Sequence, residues 1–201
     1  MKIGILGTGN VAQLLATAWG KAGREITLGS RDPSSKRLDF PVKTLADTVR
    51  WADVVVNATP GAASLATLST VDAGLFAGKT LIDVANALTP EFALAYPNSS
   101  IAQRLQAALP GARVVKTLNT GAMTLMADPR RIGPSSVFLS GNDGEAKAQT
   151  AALLRDLGWS DDDIVDLGGV ESARGPEHYS LLGFGLVGAL KSEAVNIRVI
   201  R

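Results

Sequence analysis

The residues whose types and spacing point to chemistry lie close to the N-terminus. Gly7-Thr8-Gly9-Asn10-Val11-Ala12 spells a G-x-G-x-x-A pattern directly behind the apolar run "KIGIL" (2–6). In such a pattern the first glycine permits a tight turn, and the second lets backbone approach a pyrophosphate. The small third residue lets a helix pack close to a strand. Free N–H groups at the start of that helix then face the anion. Glycine-rich turns also occur without ligands, but this one follows a strand signal and opens an amphipathic helix, which is the context the motif requires. The reading is a dinucleotide-binding loop.

The next strand candidate, "EITLGS" (25–30), ends where an acidic residue would ordinarily grip the adenosine ribose. Here the positions read Gly29-Ser30-Arg31, with Asp32 only afterwards. A carboxylate at that tip accepts from the ribose hydroxyls and repels a 2′-phosphate. A guanidinium does the reverse, because its fork of donors matches a phosphate and its charge persists at any relevant pH. Ser30 adds a hydroxyl donor, and Lys36 or Arg37 closes the pocket from the loop "RDPSSKR" (31–37). Ionic hydrogen bonds are worth about 1.5–3 kcal/mol each, so two of them shift the cofactor choice by roughly two orders of magnitude or more. The sequence therefore points to NADP. The alternative leaves Arg31 solvated and lets Asp32 hold the ribose.

These residues need a scaffold, and the chain alternates short apolar runs with helical stretches. After "KIGIL", Val11, Leu15, Ala18, Trp19 and Ala22 recur at helical spacing, and Gly23 closes that helix as a C-terminal cap. "ADVVVNATP", "KTLIDVANAL", "ARVVKTLN", "SSVFLSG" and "DIVDLG" supply further strands, with helices near 44–51, 99–109 and 144–157 between several of them. "YPNSS" (96–100) reads as a turn into a capped helix. The strands are nearly continuous in Val, Ile and Leu, as when both faces of a parallel sheet are covered by helices. The expected fold is α/β, a Rossmann-type doubly wound, mostly parallel sheet with a small C-terminal helical portion. Residues 1–167 would form the nucleotide-binding domain, and residues 168–201 a short segment completing an acceptor cleft.

With those elements in place, "GILGTGNVAQLLA" followed at the right distance by "LGSRDP" resembles the NADPH-dependent reductases of the deazaflavin coenzyme F420. The later "VVVNATPGAA", "TLIDVANAL", "VVKTLNT" and "FLSGNDGEAK" keep that family's order and spacing, so the likeness runs from residue 2 to about 167. The resemblance implies an NADP(H)-dependent oxidoreductase with the deazaflavin in a cleft against the C-terminal portion. Carried over, it puts Thr8, Gly9, Asn10 and Val11 on the pyrophosphate, with Gly7 making the turn, and Ser30 and Arg31 on the 2′-phosphate. It sets Thr59-Pro60 and Ala85-Asn86 beside the nicotinamide. The stretch from Glu171 onward matches the family less well, so a flavin or another planar acceptor fits as well as coenzyme F420.

Dehydrogenases acting on alcohols need a proton acceptor, usually His, Lys or Tyr, and no such arrangement is evident. The single histidine, His178, lies well beyond the sheet, in a structural or exposed role or else against the acceptor. No His–Asp pair, Ser–His set or metal-spaced cluster appears, and "SDDDI" (160–164) reads as a solvated turn rather than a metal site. Transfer between a nicotinamide and a flavin-like ring is a direct hydride movement carried by the cofactors. No catalytic side chain and no metal ligand is therefore assigned. Lys116 and Asn119 close their strand at the carboxyl edge, where ligands gather in open α/β sheets. Asn119 is either a polar group beside the acceptor or a turn former. Arg174 pairs with an acidic tail on the acceptor or with Glu171 or Glu177.

The chain has 201 residues, 20 basic against 19 acidic side chains, and no cysteine. That suits one large domain with an appendage and excludes disulfide and thiol chemistry. No basic stripe marks a nucleic-acid partner. "LLGFGLVGAL" (181–190) is about half the length needed to span a bilayer, so it reads as a buried helix or a subunit contact in a cytoplasmic protein. Paired with the amphipathic tail "SEAVNIRVIR", it suggests a homodimer. Enzymes that reduce imines or β-hydroxyacids attach a long helical domain, whereas only about 35 residues follow the last strand here. Reduction of ferric chelates would need a haem or membrane segment to pass electrons onward. A non-catalytic NADP(H) sensor is the alternative from another class, since the expected chemistry leaves no diagnostic side chain.

Overall fold

The computed structural model describes residues 1–200. Its frame is a six-stranded sheet built from β1 (Lys2–Leu6), β2 (Glu25–Ser30), β3 (Val42–Thr44), β4 (Val54–Asn57), β5 (Thr80–Asp83) and β6 (Arg113–Lys116). The strands lie in the order β3-β2-β1-β4-β5-β6, and every pairing is parallel. Between β1 and β4 the order reverses, and ligands bind outside the carboxyl ends of strands at such a switch point. The glycine loop follows β1 and therefore opens into that crevice.

Both faces of the sheet are covered, which explains strands without polar alternation. α1 (Asn10–Lys21) and α6 (Gly144–Asp156) cover one face, where Ile3, Ile5, Leu15, Trp19 and Leu153 are buried together. The Trp19 indole N–H donates to the Leu153 carbonyl at 2.9 Å and ties the two helices. α2 (Leu45–Trp51), α3 (Gly61–Leu68) and α4 (Ile101–Ala108) cover the other face over Leu6, Val55, Leu81, Leu105 and Val114. α2 and α4 begin as their sequences require. Thr44 and Ser100 accept from the N–H groups of Asp47 and Gln103, satisfying donors that have no partner within the helix.

The remaining elements are α5 (Met123–Ala127), β7 (Val137–Leu139), β8 (Ile164–Asp166) and α7 (Arg174–Leu190). "SSVFLSG" and "DIVDLG" do form strands, but β7 and β8 make their own parallel pair. An antiparallel bridge between Lys116 and Ser140 joins that pair to β6. The apolar stretch 181–190 is helical, as part of α7, yet Leu182, Phe184 and Leu190 are exposed. Burial against the rest of this chain is thus not its fate. No helix among the described residues is long and apolar enough to cross a membrane.

The turns at the carboxyl edge pack without slack. A Cβ added at Gly61 would lie 2.0 Å from the Asn86 backbone oxygen, so the start of α3 and the turn after β5 touch through backbone alone. Gly61→Ala is expected to cost about 1–3 kcal/mol or more through overpacking. Urea unfolding measures this as a lower midpoint; an unchanged midpoint would show that the two turns separate freely.

Candidate functional site

A cavity of about 920 Å³ opens along the carboxyl ends of β1, β2 and β4. Gly7 makes the turn into it with φ +122, and a side chain there would meet the Ala58 carbonyl at 2.6 Å. That glycine is demanded by the protein's own backbone. Gly9 differs: its φ is −79, an ordinary value, and an added Cβ would meet nothing within 4 Å. Nothing in the protein requires its smallness, so the space beside Gly9 is a cradle that a Cβ would fill. Gly9 caps α1 without a side-chain hydrogen bond, leaving the first-turn N–H groups free toward that space. Gln13 braces the loop by donating to the Thr8 carbonyl at 2.9 Å.

At the other end of the cavity stand Ser30, Arg31 and Lys36. Ser30 is buried, and its Oγ accepts from the Asp32 N–H at 3.1 Å, which leaves its own proton free to donate. Arg31 is exposed and forms no ion pair among the described residues. Asp32, by contrast, is engaged in its own loop, accepting from Ser34 Oγ at 2.7 Å. Hydrogen bonds from the Ser34 and Ser35 hydroxyls hold its carboxyl below the usual carboxylate range. Arg37 does not line the cavity; its guanidinium turns back to the Ser34 and Lys36 carbonyls.

Thr59 and Pro60 line the same cavity, and behind them runs a buried polar chain. Thr59 Oγ1 donates to Asn57 Oδ1 at 2.6 Å, and Asn57 Nδ2 donates to Asp83 Oδ1 at 2.8 Å. Ala85 reaches neither cavity; it lies buried, with its carbonyl accepting from the Lys116 ammonium. Asn86 and Asn119 instead form a reciprocal clamp. Asn86 Nδ2 donates to the Asn119 carbonyl and Asn119 Nδ2 to Asn86 Oδ1, both at 2.8 Å. They border a second cavity of about 320 Å³, whose other walls include Thr120, Ser180, Phe184 and Val187.

Met123 lines both cavities and marks where they adjoin. Sequence reasoning passed over it, along with Leu45, Ala58, Ala63 and Thr67, which also wall the first cavity. Met123 opens a five-residue helix, too short for a periodic signal. Alanine and threonine after Pro60 give no chemical cue at all.

Other candidates fall outside both cavities. His178 is exposed, with Nε2 3.0 Å from the Pro97 carbonyl. Arg174 pairs with neither Glu171 nor Glu177; its Nε faces His178 at 3.5 Å. Glu177 is instead taken by Lys116, at 3.0 Å. Burial pushes the Glu177 carboxyl up, against the pull of that ammonium, and the Asp83 charge adds to the rise. "SDDDI" holds a capped turn, in which Ser160 Oγ donates to Asp163 and Arg155 pairs with Asp161 at 2.8 Å. Among the described residues no group of acidic, histidine or cysteine side chains is gathered for a metal ion.

Comparison with known proteins gives this geometry a lineage. A family model described as NADP oxidoreductase, coenzyme F420-dependent, matches residues 2–87. A crystal structure from Arthrobacter sp. FB24, of a candidate F420-dependent NADP reductase, is 39% identical over 100% of both chains with a TM-score of 0.94. Metalloreductase STEAP3 of Rattus norvegicus is 33% identical over 180 residues, 86% of this chain and 35% of that protein. The chain thus spans about a third of the length of the curated relatives it matches. A reductive aminase from Aspergillus terreus, solved with NADPH and ethyl levulinate, shares the fold at a TM-score of 0.69. It is 22% identical, over 94% of this chain and 62% of that one. The full-length match at 39% identity carries the assignment: the chain belongs to the coenzyme F420-dependent NADP oxidoreductase family.

Proposed function

We propose that this protein transfers a hydride between NADP(H) and a flavin-like or deazaflavin ring, coenzyme F420 being one such acceptor. The observation that carries the reading is the junction of two unlike cavities at Met123. One is the larger, with free helix N–H groups along its wall and a guanidinium and ammonium at the end away from the glycine loop. The other is small and mostly apolar, with amide and hydroxyl groups and the Glu193 carboxylate at its edge. A nucleotide suits the first and a planar ring suits the second.

In this reading the N–H groups of the Thr8–Val11 turn hold the pyrophosphate, with Gly7 turning the chain and Gly9 leaving room for the phosphate oxygens. Ser30, Arg31 and Lys36 take the 2′-phosphate. Asp32, already bonded to its own loop, leaves the ribose edge to them. Thr59 and Pro60 border the nicotinamide, and Asn86 and Asn119 stand at the edge of the acceptor ring. NADPH supplies the hydride when bound, and the protein's task is to stack donor and acceptor and exclude water.

Residues 168–201 form, in this proposal, the acceptor-side wall of a nucleotide-binding domain spanning residues 1–167. The exposed Phe92, Leu182, Phe184 and Leu190 suit a contact between two copies, in a homodimer.

The test is NADPH oxidation by the purified protein with oxidised F420, FMN or riboflavin. Turnover is expected with at least one of these rings, and NADPH binding without turnover on any would contradict the reading. Arg31→Ala should weaken NADPH at least about tenfold, the loss of roughly one ionic hydrogen bond, while scarcely changing NADH. Equal losses for both nucleotides would remove Arg31 from the 2′-phosphate. Gly9→Ala should keep the wild-type unfolding midpoint yet bind NADPH at least about tenfold more weakly, because only the phosphate meets the new methyl. Unaltered NADPH affinity in that variant would move the pyrophosphate elsewhere.

A further inference from the structure

The mechanism leaves one buried charged group unused. Lys116, at the end of β6, is fully buried, and its ammonium has three protons to place. It donates to Asp83 Oδ2 at 2.8 Å and to the Ala85 carbonyl, and it pairs as an ion with Glu177 Oε1 at 3.0 Å. Asp83 and Glu177 are themselves buried, with side-chain exposures of 0% and 2%. Each carboxylate is further held: Asp83 accepts from Asn57, and Glu177 accepts from the Ile101 N–H at 2.9 Å.

Burying charges is costly, and apolar residues of similar volume would serve stability as well or better. What such a cluster supplies is a unique arrangement of the pieces it joins, and here the pieces are the walls of the second cavity. Ala85 precedes Asn86, and Lys116 lies three residues before Asn119, so the ammonium holds the chain on both sides of the asparagine clamp. Glu177 lies on α7, one turn before Ser180. Ser180, Gly183, Phe184 and Val187 then follow at helical spacing along the face that lines the cavity. One ammonium therefore sets both the asparagine edge and the depth and rotation of the helical wall.

We propose that Lys116, acting through Glu177 and the Ala85 carbonyl, is the positioning residue of the second cavity and tunes how the acceptor ring meets the nicotinamide. The acceptor half of this statement rests on the function proposed above; the pinning of α7 does not. Lys116→Met would strand two buried carboxylates, so the test works from the Glu177 side, where Asp83 still balances the lysine.

Three measurements on Glu177→Ala and Glu177→Gln decide it, with riboflavin as the probe. In Glu177→Ala the KM for riboflavin should rise about tenfold or more, with kcat reduced less and the NADPH Kd within about twofold. Glu177→Gln keeps an oxygen facing Lys116 and Ile101 and should recover riboflavin kinetics to within about threefold of wild type. Hydrogen exchange should show α7 amides opening about tenfold faster in Glu177→Ala while β1–β6 keep their protection. An unchanged riboflavin KM, or NADPH and riboflavin weakening in proportion, would overturn the positioning role. Unaltered α7 protection would overturn the pinning itself. Wild-type protein that binds NADPH but neither binds nor reduces riboflavin would instead defeat the choice of acceptor, leaving exchange to judge the pin. Should Glu177→Ala not fold, Glu177→Asp, which withdraws the carboxylate by one methylene, carries the same measurements.

Discussion

A pyrophosphate can be held by backbone alone only where backbone N–H groups are free, aimed together and unobstructed. That condition governs this structure. The sheet reverses its strand order between β1 and β4, so the helices leaving those strands diverge and a crevice opens between them. Gly7 turns the chain into the crevice in a conformation closed to other residues, and its N–H is anchored to the Gly29 carbonyl at 2.9 Å. Gly9 then presents α1 bare. The contrast between these two glycines matters, because the first is required by the fold while the second has a purpose only when something lies against it.

Charge is distributed to match. The cationic side chains of the first cavity sit at the tip of β2 and in the loop behind it, where the proposed binding mode puts the 2′-phosphate. The second cavity is lined mainly by apolar side chains, amides and hydroxyls, with Glu193 its one charged wall residue and a buried ion cluster behind its walls. A hydride donor and a ring acceptor need little from the protein beyond distance, orientation and dryness. In the proposed reaction the cluster of Lys116, Asp83 and Glu177 accordingly serves the architecture of the cleft rather than bond making.

Much of the frame was legible because its signals are local and strong. β1, α1 and β2 follow from an apolar run, a helical period closed by Gly23, and a second apolar run. β3 was not legible: it has three residues at the sheet's edge, two of them Lys43 and Thr44, with no apolar pattern. α3 begins Gly-Ala-Ala-Ser and lacks a period that distinguishes helix from turn. α7 was visible as an apolar stretch, but its exposure depends on what packs beside it, which no local pattern encodes. The glycine loop and the Ser30–Arg31 tip of the first cavity were legible from motif and strand end, while its walls at Leu45, Ala58, Ala63, Thr67 and Met123 were not. The three-way grip of Lys116 was not, since its partners are distant in sequence and the two carboxylates look like ordinary solvated charges.

The proposed reaction is a direct hydride transfer between two rings stacked at the meeting of these cavities. Its most direct measurement uses NADPH carrying deuterium at the transferable position of nicotinamide C4, with 5-deazariboflavin as acceptor, whose reduced C5 keeps a carbon-bound hydrogen. The account predicts deuterium on C5 of the reduced ring, with none gained from solvent in a complementary run in heavy water. Label released to water, or solvent deuterium incorporated at C5, would contradict it.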